Sequence, residues 1–77
     1  MACASLPRIS LIKTGERIEQ LRKKNGLSVK QLAMILGLNS TQSIYKWQRG
    51  DALPTLEHLL ILSIVFDVPI DSIVVTE

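Results

Sequence analysis

The sequence predicts an all-α, five-helix domain, with short extended segments at its two ends as candidates for pairing. Three observations carry this expectation. From Thr14 onward apolar residues recur at helical spacing, single glycines (Gly26, Gly37, Gly50) punctuate the pattern, and a leucine-rich run is bounded by Pro54 and Pro69. Seventy-seven residues allow one domain, and an apolar fraction of 47% is enough for a core. The expected division is an N-terminal segment, 1–13, and a folded domain, 14–77.

In the first segment Ile9, Leu11 and Lys13 alternate with Arg8, Ser10 and Ile12 in a strand-like manner. Thr14 then reads as a cap, Glu16 suits the positive end of a helix dipole, and Ile18 and Leu21 supply an apolar face. Arg22, Lys23 and Lys24 fall in the last turn before Asn25-Gly26. Ser28 opens a second helix, with Gln31 three residues on in a capping-box pattern. Leu32, Ala33, Ile35 and Leu36 face inward, and Gly37 stops the helix. Asn39 and Ser40 are both suitable caps for a third helix, spanning about Ser40 to Arg49. Its apolar anchors, Ile44 and Trp47, lie three apart, and Gly50 closes it. Pro54-Thr55 opens a fourth helix that runs to about Phe66 and is broken by Val68-Pro69. Asp71 begins a fifth turn or short helix. The β-branched Ile73-Val74-Val75 extends, with Arg8 to Ile12 as its natural partner.

Net charge is only +2, but its distribution is uneven. All nine Lys and Arg residues lie in 1–50 with two acids, a net of +7, whereas 51–77 holds five acids and no Lys or Arg, a net of −5. A basic end suits a polyanion. One cysteine, Cys3, excludes an internal disulfide and reads as a free thiol in a reducing cytoplasm. Pro7 and Arg8 interrupt Met1 to Lys13 where a secretory signal needs its apolar region, and Leu59 to Phe66 is far short of the ~20 residues of a membrane helix. A cytoplasmic protein is expected. Catalytic chemistry finds no support. His58 is the only histidine, Asp51 and Glu57 read as capping and solvating groups, and scattered glycines make no phosphate loop. No catalytic residue, cofactor or metal site is expected, and His58 reads as a surface or boundary residue.

Two short helices joined through Gly37, over about 28–49, read as a helix-turn-helix. An α-helix fits the major groove of B-DNA, and the preceding helix fixes its angle. At 100° per residue Ile44 and Trp47 point into the core. Gln42, Tyr45, Lys46 and Arg49 point away, with Thr41 on the flank. Gln can donate to and accept from adenine, while Lys or Arg suits the N7 and O6 of guanine. A polar helix face is by default merely solvated. Its surroundings decide against that default here.

Gly26-Leu27-Ser28, Gln31-Leu32-Ala33, Gly37-Leu38-Asn39, Ile44, Lys46-Trp47-Gln48-Arg49-Gly50 and Pro54 together resemble the Cro and phage-repressor (Xre-type) family of helix-turn-helix domains. The resemblance runs from about Thr14 to Ile73 and includes Val68-Pro69-Ile70-Asp71. It implies a lambda-repressor-like five-helix fold that binds operator DNA as a dimer, most simply as a repressor. Anchored on Ile44, it implies base contacts by Thr41, Gln42, Ser43, Tyr45 and Lys46. Phosphate contacts are expected at Ser28, with its free N–H groups, and at Ser40, Lys30 and Arg49. Three departures matter. One extra residue separates Gly37 from Ile44, assigned to the turn at Asn39-Ser40. Val29 stands where a polar residue is common, and Gln48 replaces the usual Glu, so a link to Arg22 becomes a hydrogen bond rather than an ion pair.

Leu56, Leu59, Leu62, Ser63 and Phe66 share one face of the fourth helix, enough to cover a core. Leu60, Ile61 and Ile64 lie mostly outside it and are the expected homodimer interface. Cover from within one chain is the competing explanation. The rival function is an antitoxin-like or other protein-interaction module using this helix and the acidic end. A second is a non-specific nucleic-acid binder, in which Lys46 and Arg49 act only as charge.

Overall fold

Ser10, not Thr14, starts the first helix in the computed structural model, which describes residues 8–77. The Ser10 side chain accepts from the N–H of Lys13, and α1 runs Leu11–Lys24. Three residues expected to be extended are therefore helical. Thr14 is fully buried, and its hydroxyl serves the other end of the chain. It accepts from the N–H of Val75 at 2.9 Å and donates to the Val75 carbonyl at 3.4 Å. A threonine needed for this clasp is unavailable as a cap. Cys3, read as a free thiol, lies outside the described residues.

Three more α-helices follow: α2 Val29–Ile35, α3 Gln42–Arg49 and α4 Leu56–Phe66. The expected ends of α1 and α2 are present, with Asn25 capping α1 and Gly37 in the left-handed region at φ 72° after α2. The fifth helix is only a 3₁₀ turn, Ile70–Ser72. Three residues after Pro69 close too few bonds to propagate an α-helix, and Ile73 is drawn fully into the core instead. The terminal pairing exists in reduced form, as a single antiparallel bridge, Ile9 to Thr76. It is flanked by Ser10 N–H to Val75 carbonyl, 2.7 Å, and Glu77 N–H to Arg8 carbonyl, 2.8 Å. Helix α1 takes residues 11 and 12, and the core takes Ile73, so the pairing moves outward to 8–10 and 75–77.

The core joins Ile18 and Leu21 of α1, Leu32 and Ala33 of α2, Ile44 and Trp47 of α3, and Leu62 and Phe66 of α4. Leu36 and Ile73 complete it. The expected inward face of α2 needs one correction, because Ile35 is exposed. On α4 Leu56 is 69% exposed, not buried. It is the first residue after the Thr55 cap, at the edge of the helix, where side chains tilt toward the helix N-terminus and so away from the core beneath its later turns.

Helix α4 ends on Asp67, whose φ of 55° is the only left-handed value at a non-glycine among the described residues. A side chain there is strained, and a carboxylate meets the negative end of the helix dipole. Asp67→Gly relieves both and loosens the unfolded chain. The expected net is a stabilisation of about 0.5–1 kcal/mol, read as a raised thermal midpoint.

Candidate nucleic-acid interface

The third helix is held from three sides. Ile44 is fully buried and Trp47 nearly so, which seats one face in the core. Behind it α1 approaches so closely that a Cβ on Gly15 would stand 2.0 Å from the Trp47 carbonyl oxygen. Glycine at 15 is therefore the condition for this packing. Arg22 supplies the third restraint. Its Nε donates to Gln48 Oε1 at 3.1 Å, and its Nη1 donates to the Leu27 carbonyl at 2.7 Å. One buried guanidinium thus ties α3 to the entrance of α2, and the Gln48 substitution has the expected result of a hydrogen bond. His58 lies at the boundary, half-buried, with its ring 5.6 Å from that of Trp47.

The opposite face of α3 is open. Gln42, Tyr45, Lys46 and Arg49, spaced i, i+3, i+4 and i+7, are exposed and line a shallow depression of about 340 Å³. Thr41 and Ser43 flank it and are half-buried. The helix starts at Gln42, two residues later than expected, with Thr41 as N-cap making no side-chain cap bond. Ser40 serves only as a long acceptor for the Gln42 N–H, 3.4 Å, and Asn39 is not the cap. The extra residue after Gly37 lengthens the turn and delays the helix.

At the start of α2 the capping box is complete. Gln31 N–H donates to Ser28 Oγ at 3.0 Å, and Ser28 N–H donates to Gln31 Oε1 at 2.8 Å. The Ser28 N–H is therefore occupied, not free as expected. The next N–H groups of the first turn, of Val29 and Lys30, have no partner among the described residues. Val29 packs against the core, consistent with its apolar character.

Cations differ in their availability. Lys23 pairs with Glu19 at 3.4 Å and Arg49 with Asp51 at 2.9 Å, while Lys30 and Lys46 are exposed and in no ion pair among the described residues. Both pairs are exposed and worth little to stability. The Arg49–Asp51 pair and the Gly15 approach went unread in the sequence. A glycine inside a helical pattern was the available signal for the second, since it costs a helix about 1 kcal/mol against alanine and so calls for a packing reason. On α4 Leu60 is 50% and Ile64 79% exposed, whereas Ile61 is half-buried against the core. Of the three residues expected at a dimer interface, two are thus exposed. No helix among the described residues is long and apolar enough to cross a membrane.

Residues 18–73 match the family model described as helix-turn-helix. A protein of Pyrococcus abyssi named as an HTH-type transcriptional regulatory protein is 45% identical over 53 residues, covering 69% of this chain and 16% of its own length. A similarly named protein of Pyrococcus horikoshii is 38% identical over 56 residues, covering 73% and 18%. The chain thus spans less than a fifth of the length of these relatives. Among solved structures, the restriction-modification controller protein C.AhdI from Aeromonas hydrophila is similar with a TM-score of 0.72 and 30% identity, covering 82% of this chain and 94% of that one. The DNA-binding domain of BldD has the same fold, with a TM-score of 0.70, 19% identity and coverage of 86% and 94%. With its helix-turn-helix built on Gly15, Arg22 and the Ile44–Trp47 anchor, the chain belongs to the Cro and phage-repressor type of helix-turn-helix family.

Proposed function

We propose that this chain regulates transcription by binding a specific double-stranded DNA operator as a homodimer, and that it represses by occlusion. The observation that carries the reading is the exposed row Gln42, Tyr45, Lys46 and Arg49 on a helix whose other face is locked by Ile44 and Trp47. Rigid placement matters because a base edge is read only by a side chain held at a fixed angle in the groove. Gln42 and Lys46 would make the main base contacts, with Thr41, Ser43 and Tyr45 beside them. Ser28, Lys30 and Ser40 would meet phosphates, joined by the Val29 and Lys30 N–H groups. The domain expected over 14–77, begun in the structure by the Ser10 cap and Leu11 of α1, would act as the binding unit in the cytoplasm. The name of C.AhdI, a controller protein, and the regulator names of the Pyrococcus relatives support a regulatory role.

Selection of bound duplexes from random DNA at about 0.15 M salt tests this, because screening there suppresses loose electrostatic binding. An enriched inverted repeat is the expected result. Recovery without enrichment would leave a non-specific binder, and no recovery would favour the protein-interaction module.

The dimer contact would centre on Leu60 and Ile64, with Ile61 behind them. Burying such a patch follows from its apolar area. Ile64→Asp is expected to leave the fold intact and convert a dimer to a monomer in sedimentation at tens of micromolar. Operator affinity should then drop at least ten-fold. An unchanged sedimentation mass would contradict this interface.

A further inference from the structure

Arg49 stands at the last position of α3, on the same face as Gln42, Tyr45 and Lys46. Its Nε donates to Asp51 Oδ2 at 2.9 Å, and the Arg49 side chain makes no other hydrogen bond among the described residues. The carboxylate therefore takes the inner N–H and leaves the terminal edge, Nη1 and Nη2, unpaired. Asp51 is itself anchored. Left-handed Gly50, φ 81°, turns the chain, and the Asp51 N–H donates to the Lys46 carbonyl at 2.9 Å.

The pair is exposed, so its contribution to stability is small. Its consequence is orientation. A carboxylate beside a DNA-facing helix end repels phosphates, so a helix end that served only to neutralise them would be better without it. A guanidinium paired through Nε instead leaves Nη1 and Nη2 as a flat, two-donor fork, the shape that matches guanine O6 and N7. Lysine, a point charge, gives no such fork.

We propose that Arg49 reads a guanine at one edge of the half-site through Nη1 and Nη2, and that Asp51 is the positioning residue for that contact. This rests on the reading that the α3 face enters the major groove, and it moves Arg49 from a phosphate contact to a base contact.

The test is selection of duplexes from random DNA with wild type, Arg49→Lys, Asp51→Ala and Asp51→Asn in parallel. Wild type should enrich guanine at one position. Arg49→Lys and Asp51→Ala should lose that preference by about ten-fold or more while keeping the others. Asp51→Asn retains an oxygen acceptor for Nε and should keep most of it. The proposal is overturned if both Asp51 variants keep the guanine and bind all sequences more tightly, for Asp51 is then only a competing charge. Enrichment of no sequence by wild type overturns this proposal together with the DNA-reading function. Enrichment with an unaltered motif in Arg49→Lys overturns this proposal alone.

Discussion

Gly15→Ala is expected to destabilise the domain by about 3 kcal/mol or more. The added Cβ would meet the Trp47 carbonyl oxygen at 2.0 Å and the Gln48 carbonyl oxygen at 3.0 Å. Both are backbone atoms of α3, so no side-chain rotation relieves the contact and α1 must move away from α3. A domain of this length has a total stability on the order of 4–12 kcal/mol, so the loss is a large share of it. The sign is diagnostic. Helix propensity alone favours alanine over glycine by about 1 kcal/mol, and without the close approach the substitution would stabilise. Thermal unfolding followed by circular dichroism decides between them. A midpoint lowered by roughly 12 °C or more is expected, and one equal to or above wild type would contradict the α1–α3 packing. The same shift moves the α3 face, so DNA binding should weaken even in the fraction that stays folded.

The second large effect is on recognition and not on folding. Gln42→Ala with Lys46→Ala removes two exposed side chains from a helix that alanine favours, so stability should change by no more than about 0.5 kcal/mol. Each base contact is worth about 1–3 kcal/mol of discrimination, and the pair should lower affinity for the selected duplex about 100-fold or more. Affinity for unrelated DNA should fall less, because only one charge per chain is removed. Equal losses on both duplexes would mean that Lys46 acts through charge alone and that Gln42 reads nothing.

What the sequence disclosed and what it concealed follow the range of the interactions. The capping box at Ser28 and Gln31, the Asn25-Gly26 end, the Gly37 stop and the Ile44–Trp47 anchor are local, set within a few residues, and each was legible. The link from Arg22 to Gln48 is remote, and only the family resemblance suggested it. Thr14 misled because its local alternative, a cap, was reasonable. Its actual partner, Val75, is 61 residues away. The strand-like alternation before it gave way to a Ser10 cap, and pairing was left to the residues that α1 and the core did not claim. Likewise Leu56 sits on the apolar side of the helical wheel, but a wheel does not tell where the core ends. The α3 face was read correctly as exposed because burial of Ile44 and Trp47 fixes it. The Arg49–Asp51 contact escaped notice because it depends on the turn that Gly50 makes. The terminal 3₁₀ turn fell short of a helix once Ile73 was buried.

The most direct test of the central claim, that the exposed α3 face is the DNA-reading surface, is residue-by-residue mapping of backbone amide shifts during titration with the selected duplex. The account expects the largest changes at residues 41–49, with a second group at Ser28, Val29 and Lys30. Residues 60–69 should stay unmoved beyond the effects of dimerisation. Changes concentrated on α4 and the acidic end, with 41–49 unaffected, would contradict it.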